Sequence, residues 1–215
     1  QAGFDTFFCQ DFHSFTNHSG CAAVRNKDNF CATIAVKDID DRVTLRIKLQ
    51  EALEMAYTDN LTGLYNQQGL LVKCKEILNS SKVKSAVLFM DIDNFKAVND
   101  VYGHAMGDKV LQEIAKAIRE ETRGKDVVGR YGGDEFVGLI YDVKKPEDAE
   151  EVAGRISDRI RNVCQDLKLS VKISASIGIS FTEQTGKDYH YLKEIADDRL
   201  YLAKKRGKDQ IVKNF

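Results

Sequence analysis

The sequence predicts an α+β fold: a largely antiparallel sheet with helices packed on one face. Three observations predict it. From Asp59 onward, helical and strand patterns alternate along the chain. Two runs, 84–90 and 136–141, are continuously apolar and so belong inside a sheet. Between them Gly132-Gly133 marks a hairpin, because paired glycines tolerate positive φ. With 215 residues, 43% of them hydrophobic, the chain has material for one sizeable core and a short appendage.

Residues 1–30 are rich in aromatic, Cys, His, Ser and Asn residues and show no sustained period. Phe30-Cys31-Ala32-Thr33-Ile34-Ala35-Val36 is expected to be a strand, being apolar and β-branched before the polar run 37–41. From Arg42 to Thr58 the pattern is helical. Leu45, Leu49, Ala52 and Ala56 recur at spacings of four and three, which suits pairing with a copy of itself or packing of one amphipathic helix on its own domain. Helices are then expected at 67–78, 109–121, 146–167, where Pro146 suits a first turn, and 191–205. Further strands are expected at about 169–179 and at 210–212. The expected domains are 1–41, the end of an upstream unit; 42–58, a coupling helix; and 59–215, the main domain.

Charge excludes several classes of function. Lys plus Arg is 32 and Asp plus Glu is 33, so no overall field favours nucleic acid or an anionic membrane. The five cysteines are scattered and form no CxxC pair, which indicates neither a disulfide framework nor a zinc ribbon and fits a reducing cytoplasm. The His and Cys residues of 1–31, among them Cys9, His13, His18, Cys21 and Cys31, match no metal-site spacing. No apolar run reaches the length of about 18 residues that spans a bilayer. The start at Gln1-Ala2-Gly3 is no signal peptide and leaves room for a sensory or membrane-anchored portion upstream.

The acidic residues carry the chemistry. Asp91 follows Ala86-Val87-Leu88-Phe89-Met90 and is expected at the C-terminal end of a buried strand, with Asp93 on the same side. Asp134-Glu135 follows the glycine pair directly. Each acid alone is an ordinary solvated turn residue. Two such clusters on neighbouring strand ends repel unless a cation compensates them, and carboxylate oxygens suit magnesium. With Lys96, Lys204, Lys205, Arg206 and Lys208 nearby in the pattern, metal and ammonium groups together suit a triphosphate. Alone, the C-terminal basic run only complements a helix dipole.

Six boxes in order resemble those of the GGDEF domains, the diguanylate cyclases, over about 59–215. They are Asp59-Asn60-Leu61-Thr62-Gly63-Leu64-Tyr65-Asn66; the run 91–100 with Gly103-His104 and Gly107-Asp108; Gly132-Gly133-Asp134-Glu135-Phe136; Ser176-Ile177-Gly178; Ala196-Asp197; and 200–204 with Gly207-Lys208. The resemblance implies a palm-like, ferredoxin-like fold related to class III nucleotide cyclases, preceded by a signalling helix. It also implies condensation of two GTP to cyclic di-GMP and two pyrophosphates by a cytoplasmic homodimer. Asp91, the Ile92 carbonyl, Asp134 and Glu135 would then hold two Mg²⁺, or Mn²⁺ in their place. Glu135 would act as the base or as the second metal contact for the attacking ribose 3′-hydroxyl, with Asp134 and Lys204 completing the catalytic group. Asn99 and Asp108 would read guanine, with His104 close by, and Phe95, Lys96, Gly132, Gly133, Lys204 and Lys208 would surround the phosphates. Because Asp108 accepts from two donors that guanine has on that edge and adenine lacks, GTP is expected over ATP.

Arg123-Gly124-Lys125-Asp126 lies five residues ahead of Gly132. An Arg and an Asp at this spacing are commonly a helix-end ion pair. The resemblance implies instead an RxxD product-inhibition site for cyclic di-GMP, with Arg155 as the partner subunit's contact. The residues ahead of Arg42 are similar to the end of a PAS-type sensor. Gln67-Gln68 stands where two arginines are common in the family, and Lys208-Asp209 where Arg-Asn is common. Rival readings are a non-catalytic GTP or cyclic di-GMP sensor, a mixed GTP/ATP cyclase, and a polymerase-like enzyme that would need a basic template groove.

Overall fold

A computed structural model describes residues 30–80 and 82–214. The chain divides into two units, Gln1–Ala52 and Leu53–Phe215. The residues before Phe30, with most of the expected sensor segment, lie outside the described part.

The first correction concerns the expected strand at 30–36. A single helix, α1, runs from Phe30 to Tyr57. No Gly or Pro interrupts these 28 residues, and a short apolar run inside an unbroken helical stretch adopts the helix of its neighbours. Val43, Leu45, Ile47 and Leu49 on α1 are exposed. Among the described residues no helix is long and apolar enough to cross a membrane.

The second unit continues with α2 (Gln67–Ser80), β1 (Ser85–Asp93), α3 (Phe95–Tyr102), α4 (His104–Glu121), β2 (Val127–Gly132) and β3 (Glu135–Tyr141). It ends with α5 (Pro146–Asp166), β4 (Ser174–Phe181), a short α6 (Thr182–Thr185), α7 (Tyr189–Lys205) and β5 (Ile211–Val212). The sheet order is β2-β3-β1-β4-β5. All pairings are antiparallel except β4 with β5, so the sheet is mixed but largely antiparallel, as expected.

Helices cover both faces of this sheet, not one. Ala86, Leu88, Met90 and Ile92 of β1 join a core with α3, α4 and α5. Val87 and Phe89 join a second core with α2 and α7. The run 86–92 is continuously apolar up to Asp91 because successive side chains enter opposite cores, each burying roughly 1.5–3 kcal/mol of transfer free energy per large residue. Gly178 on β4 permits a close backbone approach. A Cβ there would fall 1.9 Å from the Ala196 carbonyl oxygen and 2.4 Å from the Leu200 nitrogen, so α7 rests directly on the strand backbone.

Candidate active site

β1 runs through Asp91 to Asp93, so Asp91 lies inside the strand and not at its end, and is only 9% exposed. Antiparallel pairing sets Asp91 opposite Glu135, the first residue of β3, and opposite Ser176 of β4. The turn Gly132-Gly133 is a hairpin as expected, with positive φ (51°) at Gly133 alone. Asp134 occupies the turn, and its carbonyl accepts the Ile92 N–H at 3.2 Å. Asp91, Ile92, Asp134 and Glu135 are thereby brought together from positions more than forty residues apart in the chain.

Burial, first, raises the Asp91 carboxyl above its ordinary value, and Asp134 and Asp93 add to this, while Lys204 opposes it. Glu135 is raised too, by burial and then by the Asp91 charge. Lys204, in the last turn of α7, donates to Asp91 Oδ2 at 2.7 Å. One ammonium thus faces several carboxylates, and hard oxygen donors short of positive charge suit a divalent cation. Among the described residues no group of three or more His, Cys, Asp or Glu is gathered closely enough to hold a metal ion by itself. Asp91 and Glu135, paired across β1 and β3, supply the one or two carboxylates that magnesium typically takes while sharing its shell with substrate phosphates and water.

Two left-handed residues, Asn94 (φ 62°) and Gly103 (φ 81°), bound α3, an eight-residue helix the sequence reading had not placed. It carries Phe95, Lys96 and Asn99, while α4 opens with His104 and brings Asp108 in its second turn. The two helices meet at Gly107. A Cβ there would lie 1.9 Å from Asn99 Oδ1 and 3.3 Å from Phe95 Cζ. Hence the Asn99 amide sits against the residue next to Asp108, and Asp108 and His104 are exposed. Lys208 Nζ donates to Asn94 Oδ1 at 3.2 Å, which joins the C-terminal basic run to the start of α3.

Sequence reasoning missed the residues that hold the hairpin. Arg130 donates through Nε to the Gly133 carbonyl at 2.8 Å and its Nη1 lies 3.4 Å from the Asp59 carboxylate. Burial alone would raise the Asp59 carboxyl, but donors from Thr62 and the Arg130 charge hold it below its ordinary value. Asp59 and Arg130 are 71 residues apart, and no period links them. Beside this hairpin a cleft of about 710 Å³ is lined by Gln67, Gln68, Tyr131 and Lys193, among others.

The RxxD loop lies at the opposite end of β2, which at six residues is about 20 Å long. Asp126 accepts the Arg123 N–H at 2.7 Å and the Tyr141 N–H at 2.9 Å. Arg155 on α5 donates to Glu121 at 3.0 Å, two residues before Arg123 in sequence. The site acids and the RxxD loop therefore form two separate places on the domain.

Comparison with known proteins agrees with this geometry. The family model "Diguanylate cyclase, GGDEF domain" matches residues 56–210. The bifunctional diguanylate cyclase/cyclic di-GMP phosphodiesterase MucR of Pseudomonas aeruginosa is 40% identical over 163 residues, which is 74% of this chain and 24% of MucR. The chain spans between 24% and 43% of the length of the curated relatives it matches. The crystal structure of the diguanylate cyclase SiaD with its activator SiaC, also from Pseudomonas aeruginosa, aligns with a TM-score of 0.69 at 33% identity. It covers 87% of this chain and 74% of SiaD. The coiled coil and GGDEF domain of DgcB from Caulobacter crescentus, in complex with c-di-GMP, aligns with a TM-score of 0.68 at 26% identity over 86% of this chain and 100% of that one. A match that covers every element from the end of α1 to β4 and α7, in a fold of the same palm-like type, admits one conclusion: this chain belongs to the family of diguanylate cyclase GGDEF domains.

Proposed function

We propose that the domain condenses two molecules of GTP into cyclic di-GMP, releasing two pyrophosphates, as a homodimer in which each subunit holds one GTP. The observation that carries this reading is the pairing of Asp91 with Glu135 across β1 and β3, under the single ammonium of Lys204. Asp91, the Ile92 carbonyl, Asp134 and Glu135 would hold two Mg²⁺. When bound, these ions lower the barrier to attack and neutralise charge on the phosphates.

The chain's own residues do the rest. The exposed backbone of Gly132 and Gly133 leaves room for phosphate, and Lys204 and Lys208 balance its charge. Glu135, set opposite Asp91 at the start of β3, is placed to act as the proton acceptor. It takes the proton of a ribose 3′-hydroxyl as that oxygen bonds to the α-phosphorus of the other GTP and pyrophosphate leaves. A second such step closes the ring. Asp108 and Asn99 accept and donate at the guanine edge, which selects GTP over ATP. Since each hydroxyl must reach the other nucleotide, two subunits have to face each other across a twofold axis. The exposed apolar residues of α1 supply a surface for pairing two such helices, through which an upstream domain would set the dimer geometry. Arg123 and Asp126, with Arg155 of a second subunit, would bind the product and inhibit turnover.

The test is incubation of the purified dimer with GTP and Mg²⁺, followed by chromatography of the products, with Asp134→Ala and a chelator as controls. Cyclic di-GMP that disappears in both controls is the expected result. A confirmed dimer that binds GTP but yields no cyclic di-GMP would make the domain a nucleotide sensor instead.

A further inference from the structure

The turn after α7 is held in an uncommon conformation. Gly207, Lys208 and Asp209 have φ of 114°, 65° and 51° in succession. Two consecutive non-glycine residues in the left-handed region persist only where surrounding contacts over-determine them. Here those contacts come from three directions.

The Lys208 N–H donates to the Ala203 carbonyl at 3.1 Å, in the manner of a helix end. The Asp209 N–H donates to Asp93 Oδ2 at 3.0 Å. Asp93 is 2% exposed, and its carboxylate also accepts the Ser174 and Ser176 hydroxyls at 2.9 Å, so it is anchored to β4 before it reaches the turn. From α5, Arg161 brings Nε to 2.9 Å from Asp209 Oδ1 and a second guanidinium nitrogen to 2.8 Å. Arg161 is itself oriented by Asp158. The outcome is a fixed Lys208, whose ammonium meets the Asn94 amide oxygen one residue beyond Asp93.

We propose that Asp93 and Arg161 are positioning residues, which keep the Gly207–Asp209 turn left-handed so that Lys208 presents its ammonium beside α3 to a nucleotide phosphate. This rests on the reading of the site as a GTP site. Neither residue touches the reacting atoms; both act through Lys208. The inference also accounts for Asp209 in this chain. The Asp209 carboxylate takes both guanidinium nitrogens on Oδ1 and Nε again on Oδ2 at 3.2 Å, charge-assisted contacts that an asparagine, with one neutral acceptor, would weaken.

Steady-state kinetics with MgGTP test it on Arg161→Gln, Asp209→Asn, Lys208→Ala and the double variant Arg161→Gln/Lys208→Ala, each checked for an unchanged melting curve. Because the Arg161–Asp209 pair is partly exposed, its loss should raise KM by about 3- to 5-fold, with the loss in KM rather than kcat. Once Lys208 is alanine, removing Arg161 should cost nothing more. Arg161→Lys, which keeps the charge but not the fork, should recover part of the loss. Asp93→Asn, which keeps one acceptor for the Asp209 N–H, should lie between wild type and Lys208→Ala. Unchanged KM in Arg161→Gln, or effects of Arg161 and Lys208 that multiply, would overturn the proposal. If the wild-type dimer formed no cyclic di-GMP, the cyclase reading would fail separately. The same pattern would then be sought in the dissociation constants of a non-hydrolysable GTP analogue, where its presence supports the positioning role and its absence removes it.

Discussion

Replacing Gly178 with Ala should damage both stability and catalysis through one displacement. The added methyl would lie 1.9 Å from the Ala196 carbonyl oxygen, and side-chain carbons in proteins essentially never come nearer than 3.0 Å to such an atom. Relief therefore needs a movement of about 1 Å between β4 and α7, and the obstructing atoms are backbone, with no flexible side chain to yield. Overpacking of this kind costs typically 1–3 kcal/mol, and rigid backbone places the site near about 3 kcal/mol. For a domain of this size that corresponds to a fall in Tm of roughly 6–12 °C. The same helix carries Lys204, which lies 2.7 Å from Asp91, so a shift of that size breaks their contact. A misplacement of about 1 Å can cost on the order of 100-fold in rate. Thermal unfolding by circular dichroism and initial rates of product formation measure the two effects. A variant that melted within about 2 °C of wild type and kept its kcat would show that the sheet and α7 are not in the close contact described.

Two other variants test the site and the RxxD loop in turn. Glu135→Gln should lower kcat by about 100- to 10,000-fold through loss of the proton acceptor. It should also melt higher than wild type near pH 8: a buried carboxyl raised in the folded state is destabilising when ionised. That penalty is complete above the raised value and fades as pH falls through it, so melting curves of the two proteins should converge toward pH 4. Arg123→Ala should leave the initial rate of product formation intact and abolish inhibition by added cyclic di-GMP, read from progress curves. Inhibition that survived would detach the RxxD loop from regulation.

The sequence revealed most where one physical constraint acted alone. The continuous apolar runs announced β1 and β3, Pro146 opened α5 where expected, and the glycine pair made its hairpin. The strand expected at 30–36 failed because β-branched residues are tolerated in a long helix that no breaker interrupts. α3 went unseen because eight residues show too little period, although Asn94 and Gly103 are residue types suited to its left-handed ends. The two-faced covering of the sheet was not expected, although the uninterrupted run 86–90 carries its mark, since a strand with one solvated face would alternate. Within the site, the acids were recognisable by type and order. Their supports were not: Arg130 with Asp59, and Asp93 with Asp209, are joined by tertiary hydrogen bonds that leave no periodic trace.

β1 has a last consequence for how such a domain can change over generations. From Ala86 to Asp93 each side chain is committed to one of the two cores, to the acidic edge or to Asp93's buried hydrogen bonds, so substitution anywhere along it disturbs either packing or the acids. Asp108 and His104, by contrast, stand exposed on α4. Innovation is thereby channelled. If Asp108 reads the base as proposed, nucleobase preference can be altered at exposed positions of α4 without disturbing the strand that carries Asp91.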